Sequence, residues 1–409
     1  MRARKRRHGD GGSPITGRRH SGVNTLQPTL IWDLPTRLFH WTLVASFIGA
    51  WLSTGSDRWL AVHVFLGYLM LGLIGFRVVW GLLGTHYARF ASFWYGPRAA
   101  WIYLRSVING TAARHIGHNP TGSVTIYVLL LLTLVVGASG FFTLGGEEQQ
   151  GALSGAMSFV QSRTFKKLHE FTAYLMLLVV IGHLTGVVVE SILHHENLAR
   201  SMLTGTKLTE PGVPIASPRW GVAALMLALI LSSGGWWFYY AVDTKLDQAR
   251  GEKENPHVKF MGAVLPDDPQ WRSECGSCHL PYHPNLLPTR SWQAIMSGQS
   301  LHFGSDLALD ANTNAALLAY ATANSADIGQ TEASYKITRS LKPADAPLRI
   351  TETPYRVKKH SKITPAQWQS DPIKSKANCA ACHLDADEGT FLDAAMHIPT
   401  GSSTPKASQ

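Results

Sequence analysis

Long apolar runs alternate with short polar or basic segments over roughly the first 240 residues, whereas the chain after about Asp243 has no long apolar run. About twenty mainly apolar residues are enough for a helix to cross the hydrocarbon layer of a bilayer. The pattern therefore predicts a membrane half followed by a soluble half. The membrane helices are predicted at about 32–53, 60–83, 123–144, 168–190 and 220–242.

The fourth apolar run, Leu168–Glu190, contains two histidines, His169 and His183. Their separation is 183 − 169 = 14 residues. Fourteen residues are nearly four turns of an α-helix, so both side chains leave one face, about 21 Å apart along the axis. Ionisable groups at membrane depth are costly and usually functional. Hydrogen bonds to neighbouring helices are the alternative role, but the shared face favours haem ligation at two stacked sites.

Basic residues concentrate in three segments of the membrane half, which are the tail 1–28, the segment 84–122 and the connector 193–218. Five crossings place all three on one side, which the positive-inside rule makes cytoplasmic. Lys166 and Lys167 are the exceptions. The soluble half is then periplasmic, at a bacterial inner membrane. The tail is typical of a disordered segment, and neither a twin-arginine signal nor a cleaved signal peptide is favoured.

This topology sorts the membrane histidines by depth. His40 lies at the cytoplasmic start of the first helix, and His63 lies at the periplasmic start of the second. In the fourth helix His169 is periplasmic and His183 is cytoplasmic. The predicted pairs are therefore His63 with His169 and His40 with His183, and each pair suits a low-spin haem b with two histidine ligands.

Arg77 follows His63 by 77 − 63 = 14 residues and so lies on the same helix face. It is predicted either to contact a haem propionate or to extend its charge to the membrane surface. The arginines and aromatic residues of 84–122 are typical of a segment that lies on the membrane.

Three stretches, WDLPTRLFHW, FRVVWGLLGTHYARF and LHEFTAYLMLLVVIGH, resemble the bacterial cytochrome b family that includes the membrane subunit of nickel–iron hydrogenases. The likeness covers about Thr29–Gly205. It implies two b haems between four helices, and electron exchange with the quinone pool. The fifth helix and its attached domain depart from the hydrogenase subunits, which puts a hydrogenase partner in doubt. The positions that match the family's haem ligands are His40, His63, His169 and His183.

All four cysteines fall in two copies of Cys-x-x-Cys-His, 379 − 275 = 104 residues apart. In an exported domain this motif is specific for a covalent haem c, because two thioethers hold the haem and the histidine supplies the proximal ligand. A zinc site with four cysteine ligands is the alternative. The motifs are Cys275-Gly-Ser-Cys278-His279 and Cys379-Ala-Ala-Cys382-His383.

The distal ligands are less defined by the residues alone. The candidates are His257, His283, His302, His360, His397, Met261, Met296 and Met396. Residues Phe260–Pro399 resemble the dihaem cytochrome c family. That resemblance implies two histidine ligands for each haem and points to His302 and His360, with His283 as the main rival. Which histidine serves which haem stays open at this stage.

The expected fold class is all-α, with a transmembrane four-helix haem bundle, a fifth tether helix and a small, loop-rich, helical dihaem cytochrome c domain. The 409 residues carry a formal net charge of +10, which the membrane topology explains without nucleic acid as a partner. The expected domains are a basic tail at 1–28, a cytochrome b domain at 29–205, a linker and fifth helix at 206–245, and a periplasmic cytochrome c domain at 246–409.

The leading functional hypothesis is a membrane electron-transfer protein with two haem b and two haem c groups. Electrons are expected to pass from quinol, an exchangeable substrate of the quinone pool, through the b and then the c haems to a periplasmic redox protein. No covalent-catalysis residues and no Gly-rich nucleotide motif stand out in the sequence, so a flavin or nicotinamide domain is not supported. Whether the electron carrier also has quinol dehydrogenase activity stays open at this stage. The alternatives are catalysis at an open c haem and a membrane anchor that relays electrons for a docked redox enzyme.

Overall fold

The computed structural model describes residues 26–54, 59–239, 265–329, 331–371 and 373–399. Residues 1–25 of the expected basic tail and the ligand candidates His257 and Met261 lie outside the described residues. Helices dominate the rest. The α-helices are α1 (Leu34–Leu52), α2 (Leu60–Leu83), α3 (Pro97–Ile108), α4 (Pro120–Glu147), α5 (Phe159–Leu193), α6 (Leu198–Thr204), α7 (Trp220–Phe238), α8 (Pro269–Cys275), α9 (Thr289–Ser297), α10 (Ala311–Ala323), α11 (Glu332–Ser340), α12 (Pro354–Lys359) and α13 (Pro365–Trp368). Two strands, β1 (Gln27–Leu30) and β2 (Thr206–Thr209), pair with each other.

Asp33 fixes the start of α1 and joins it to the end of α2. Its carboxylate accepts a hydrogen bond from the backbone N–H of Thr36 at 2.8 Å, as expected for an N-cap. The same carboxylate accepts hydrogen bonds from Trp80 Nε1 at 3.1 Å and from Thr85 Oγ1 at 2.6 Å. A buried carboxylate with three donors holds the two helix ends in one arrangement.

Four helices among the described residues, α2, α4, α5 and α7, are long and apolar enough to cross a membrane. The chain is therefore an integral membrane protein. The 19-residue α1 does not belong to this set, and its first turns contain Arg37 and His40. A fifth crossing through α1, and the orientation that depends on it, stay predictions.

The loop between the third and fourth membrane helices is shorter than the sequence pattern indicated. It was expected at 145–167, but α4 continues to Glu147 and α5 already begins at Phe159. Ser158 and Gln161 form a reciprocal capping box that starts α5 in a polar stretch. The extra turns carry both helices beyond their apolar segments, as far as the soluble half.

Two clusters of buried apolar side chains hold the membrane helices together. One joins α1, α2 and α7, and the other joins α2, α4 and α5. The helix expected to act only as a tether, α7, therefore also packs on the bundle. The buried members are Phe39, Leu73 and Met226 in the first cluster, and Met70, Leu132 and Met176 in the second.

The segment that was expected to lie on the membrane contains α3. This helix buries Ala100 and Tyr103 and exposes Trp101, Ile102 and Ile108. An exposed apolar and aromatic face agrees with an interfacial position.

The two strands join parts of the chain that are distant in sequence. Gln27 of β1 lies opposite Thr209 of β2, and the hydroxyls of Thr29 and Thr209 are 2.6 Å apart. Four-residue strands carry too little alternation to be recognised from sequence, so this pairing was not expected.

The soluble half consists of short helices and loops, as expected from the sequence. Its main core joins α8, α9 and α10 and contains Met296, which is only 3 % exposed. Met296 therefore acts as a core residue. The buried members are Trp271, Leu287, Trp292, Met296, Leu317 and Ala321.

Candidate functional site: four histidine pairs

The first histidine pair lies at the end of the bundle where α2 begins and α4 ends. The ring centres of His63 and His169 are 6.0 Å apart. The Nδ1 of His63 donates to the carbonyl of Ala50, and the Nδ1 of His169 donates to the carbonyl of Val136, both at 2.9 Å. These bonds place the proton on Nδ1 and leave each Nε2 as a lone-pair donor for a metal. We call this pair the upper membrane site.

The upper membrane site opens on a cavity of about 530 Å³. Glycines from α2 and α4, Gly67, Gly137 and Gly140, line it. A Cβ on Gly140 would lie 3.1 Å from the ring of His169. The glycines thus keep open a space of the size and apolar character that suit a haem.

The second pair lies towards the other end of the bundle. His40 in α1 and His183 in α5 are within electrostatic range of each other. The Nδ1 of His40 is buried and has no hydrogen-bond partner among the described residues. A buried, unpartnered ring nitrogen is costly unless a further group binds it. We call this pair the lower membrane site.

Arg77 lies in the second half of α2, at the end of the helix away from His63. It is 4 % exposed, and its guanidinium stacks 4.6 Å from the ring centre of Phe90. Its Nη1 is buried and unpartnered. A side chain that extended its charge to the membrane surface would be exposed, so the geometry favours the propionate role over the snorkelling alternative.

The third pair belongs to the first Cys-x-x-Cys-His motif. The rings of His279 and His302 are 6.3 Å apart and nearly parallel, with 26° between their planes. The Nδ1 of His279 donates to the carbonyl of Leu280 at 2.7 Å, which again leaves Nε2 free. Cys275 and Cys278 lie in the same turn. We call these four residues the first c site.

The fourth pair belongs to the second motif. The rings of His360 and His383 are 6.2 Å apart. Burial lowers the pKa of His383 to about 4 and also lowers the pKa of His360. Both rings are therefore neutral near pH 7, which is the form that binds a metal. Together with Cys379 and Cys382 they form the second c site.

The structure thus assigns one distal candidate to each motif, a choice that the sequence left open. His283 is not available, because its Nε2 donates to the carbonyl of Pro266 and its Nδ1 accepts from the N–H of Asn285. The backbone of Met396 forms a bridge with His383, but the facing ring is that of His360.

The spacing of the pairs tests whether a bis-histidine metal centre fits. Two imidazoles on opposite sides of one metal, each with a bond of about 2.0 Å, have ring centres about 6 Å apart. The separations of 6.0, 6.3 and 6.2 Å agree with this value. Within the described ranges, the one group of three or more potential metal ligands consists of carboxylates alone. The zinc alternative, which needs four gathered cysteines, is therefore not supported.

Sequence reasoning missed His118, which lies before α4. Its ring stacks 4.3 Å from that of Phe93. Burial lowers its pKa to about 3, and the nearby charges of Arg77 and Lys207 add to this effect. It falls in a polar loop, and no spacing relates it to the other histidines, so no sequence signal identified it.

Two comparisons by sequence family cover most of the chain. Residues 31–205 match the family described as prokaryotic cytochrome b561, and residues 271–391 match the family described as dihaem cytochrome c. The fold and the four histidine pairs define the class as a membrane electron-transfer cytochrome. The chain thus contains a segment that matches cytochrome b561, followed by a segment that matches dihaem cytochrome c. Both resemblances stated from the sequence are confirmed.

The membrane half is similar to a probable Ni/Fe-hydrogenase B-type cytochrome subunit of Azotobacter vinelandii. The two are 25 % identical over 232 residues, which cover 49 % of this chain and 96 % of that protein. A protein of the same name from Cupriavidus necator is 22 % identical over 215 residues, which cover 44 % of this chain and 87 % of that protein.

The soluble half is similar to a dihaem cytochrome c from Rhodobacter sphaeroides. The sequences are 38 % identical, the match covers 32 % of this chain and all of that chain, and the TM-score is 0.28. A dihaem cytochrome c from Shewanella baltica is 30 % identical over 33 % of this chain and 95 % of that chain, with a TM-score of 0.27. The two families imply both haem b and haem c as cofactors.

Proposed function

We propose that this cytochrome carries electrons from quinol in the membrane to a periplasmic redox protein through two haem b and two haem c groups. The observation that carries the proposal is the set of three facing histidine pairs, whose ring centres are 6.0–6.3 Å apart. Haem in such sites supplies one-electron chemistry, whose potential depends on the axial ligands, burial and nearby charge.

The membrane sites are proposed to use His63 with His169 and His40 with His183 as axial ligands. Backbone carbonyls orient both rings of the upper membrane site, which limits reorganisation when the charge changes. Arg77 is proposed to bind a propionate at the lower membrane site, because its buried Nη1 has no partner in the described protein.

The soluble sites are proposed to attach haem through Cys275 with Cys278 and through Cys379 with Cys382. His279 and His383 are the proximal ligands, and His302 and His360 are the distal ligands. Since each proximal histidine faces a second histidine, catalysis at an open c haem has no support from the geometry.

The proposed order of electron transfer, from the membrane sites to the c sites, is supported by the place where the chain leaves the bundle for the soluble half. Trp237, near the end of α7, packs on Phe65 at the start of α2, with ring centres 5.8 Å apart. The chain thus leaves the membrane beside the upper membrane site. With the basic segments on the cytoplasmic side, this end is proposed to face the periplasm.

Rapid-mixing optical spectroscopy of the purified, oxidised protein with a soluble quinol analogue tests the proposal. The b bands are expected to reduce first and the c bands to follow. If a chemical reductant reduces all bands but the quinol reduces none, the proposal that the protein oxidises quinol is wrong. The alternative, a membrane anchor that relays electrons for a docked enzyme, then takes its place. Reduction of the c bands without the b bands would remove the membrane sites from the path.

A further inference from the structure

The two halves of the chain contact each other at the start of α5. Phe159 is 1 % exposed because the ring of Tyr335, in α11 of the soluble half, packs 5.3 Å from its ring centre. The guanidinium of Arg163, one turn further along α5, lies 5.3 Å from the same tyrosine ring. The extension of α5 beyond its apolar segment thus ends in a specific aromatic contact with the soluble half.

Charged residues surround this contact. Carboxylate oxygens of Glu148, from the loop between α4 and α5, and of Glu332 and Asp393, from the soluble half, lie within 4.8 Å of one another. Lys336 forms an ion pair with Glu332, and Lys359 forms one with Asp393 at 3.8 Å. The two lysines offset part of the charge of the carboxylates in the soluble half, close to Glu148 of the membrane half.

The same residues lead directly to the second c site. Lys359 precedes His360, and Asp393 lies three residues before Met396, whose backbone forms a bridge with His383. Both histidines of the second c site are therefore linked to Asp393, which lies beside Glu148 of the membrane half: His360 through the ion pair of Lys359, and His383 through the bridge to Met396.

None of these contacts involves the first c site. There Cys278 and His279 are exposed, and the neighbouring Phe303 is 48 % exposed beneath the guanidinium of Arg349. Tyr282 connects the two c sites, because its ring stacks on His279 at 5.3 Å and its hydroxyl donates to the carbonyl of Ala377, two residues before Cys379.

We propose that electrons enter the soluble half at the second c site and leave it from the first c site, at the surface around Phe303 and Arg349. This rests on the proposed function and adds an order to it. Each quinol gives up two electrons and two protons. The electrons pass singly from the upper membrane site to the second c site and then to the first, and an oxidised one-electron redox protein removes each from there.

His169 lies ten residues, 169 − 159, after the contact residue Phe159. In a continuous helix this is about 15 Å along the axis. The same helix therefore carries an axial ligand of the upper membrane site and the residue that holds the soluble half in place.

The test compares two variants of the full-length, haem-loaded protein in rapid mixing with a quinol analogue. Cys275→Ser/Cys278→Ser removes the first c haem, and the remaining c band is expected to keep the parental reduction rate. Cys379→Ser/Cys382→Ser removes the second, and the remaining c band is expected to lose its fast phase although dithionite still reduces it. A fast phase retained in the second variant overturns the proposed order, provided that the b bands reduce normally. If the b bands do not reduce in the parent, the proposed function itself fails.

Two variants that keep all haems attached control for the possibility that the cysteine variants, which lose a haem, do not fold. His302→Met and His360→Met are each expected to raise the potential of one c haem, since methionine ligation raises haem potentials, and this labels that haem in a potentiometric titration. In rapid mixing with the quinol analogue, the haem with the raised potential is expected to be reduced before the other c haem in His360→Met and after it in His302→Met. The opposite order refutes the proposal.

A structural readout needs no electron transfer. A spin label attached through Ala152→Cys, in the exposed loop between α4 and α5, is expected to lose part of its paramagnetic relaxation when the second c haem is absent and to retain all of it when the first is absent, because the haem of the upper membrane site contributes equally in both variants. Equal effects of both deletions would contradict the arrangement.

Discussion

The pairing of the four membrane histidines makes a prediction that single substitutions cannot test. If His63 and His169 hold one haem, and His40 and His183 hold another, then two substitutions within one pair remove the same haem. Residues that act on one group are non-additive, whereas residues at separate sites add. The perturbation is therefore a set of single and double alanine variants.

The expected magnitudes follow from the geometry. The ring centres of the upper pair are 6.0 Å apart, as for two ligands of one metal. Each single variant should retain about half of the b haem. The double variant His63→Ala/His169→Ala should also retain about half, whereas His63→Ala/His40→Ala should retain none.

The assay is the pyridine haemochrome spectrum of purified protein, which separates b from c haem, together with total iron. His86→Ala is the matched control, since His86 belongs to none of the four pairs and is exposed, and it should keep the full b-haem content. Half of the b haem retained in the cross-pair variant, or none in the within-pair variant, would refute the pairing.

Three further predictions concern single positions. Arg77→Leu should lower the potential of one b haem on the order of 50 mV, about a tenfold change for a one-electron couple, and Arg77→Lys should lower it less in the same titration. Gly140→Val should halve the b haem because its side chain meets the histidine of the upper membrane site, whereas Gly72→Val, where a Cβ meets nothing within 4 Å, should retain it in the haemochrome assay. His283→Ala should destabilise the soluble half by about 1–3 kcal/mol in denaturant titrations with both c haems still low-spin, whereas His302→Ala should make one c haem high-spin by EPR.

The membrane helices could be read from the sequence because their signal is local. An apolar run long enough for a bilayer is recognisable without knowledge of its neighbours, and α2 was located at its observed bounds, Leu60–Leu83. The end of α4 and the start of α5 were predicted wrongly, because helix capping and tertiary contacts, rather than the apolar run, determine them. Ser158 caps α5 within a polar stretch, and Tyr335 of the soluble half buries its first residue.

The sequence also predicts how the membrane histidines pair, because helix periodicity and charge distribution give depth and face, and the rings of His63 and His169 lie 6.0 Å apart. The distal ligands of the soluble half were not, since His302 and His360 lie in turns whose course depends on packing. In the structure both ring nitrogens of His283 form hydrogen bonds that no sequence spacing encodes.

The sequence by itself determined the chemistry of this protein, because histidine and cysteine types, helical spacing and the Cys-x-x-Cys-His motif are properties of short segments. Only the tertiary structure decided which histidine faces which, and where the soluble half meets the bundle. Those relations join residues that are far apart in the sequence, such as Phe159 and Tyr335, which are 335 − 159 = 176 positions apart. Contacts of that kind arise from the packing of whole elements, which local patterns do not specify.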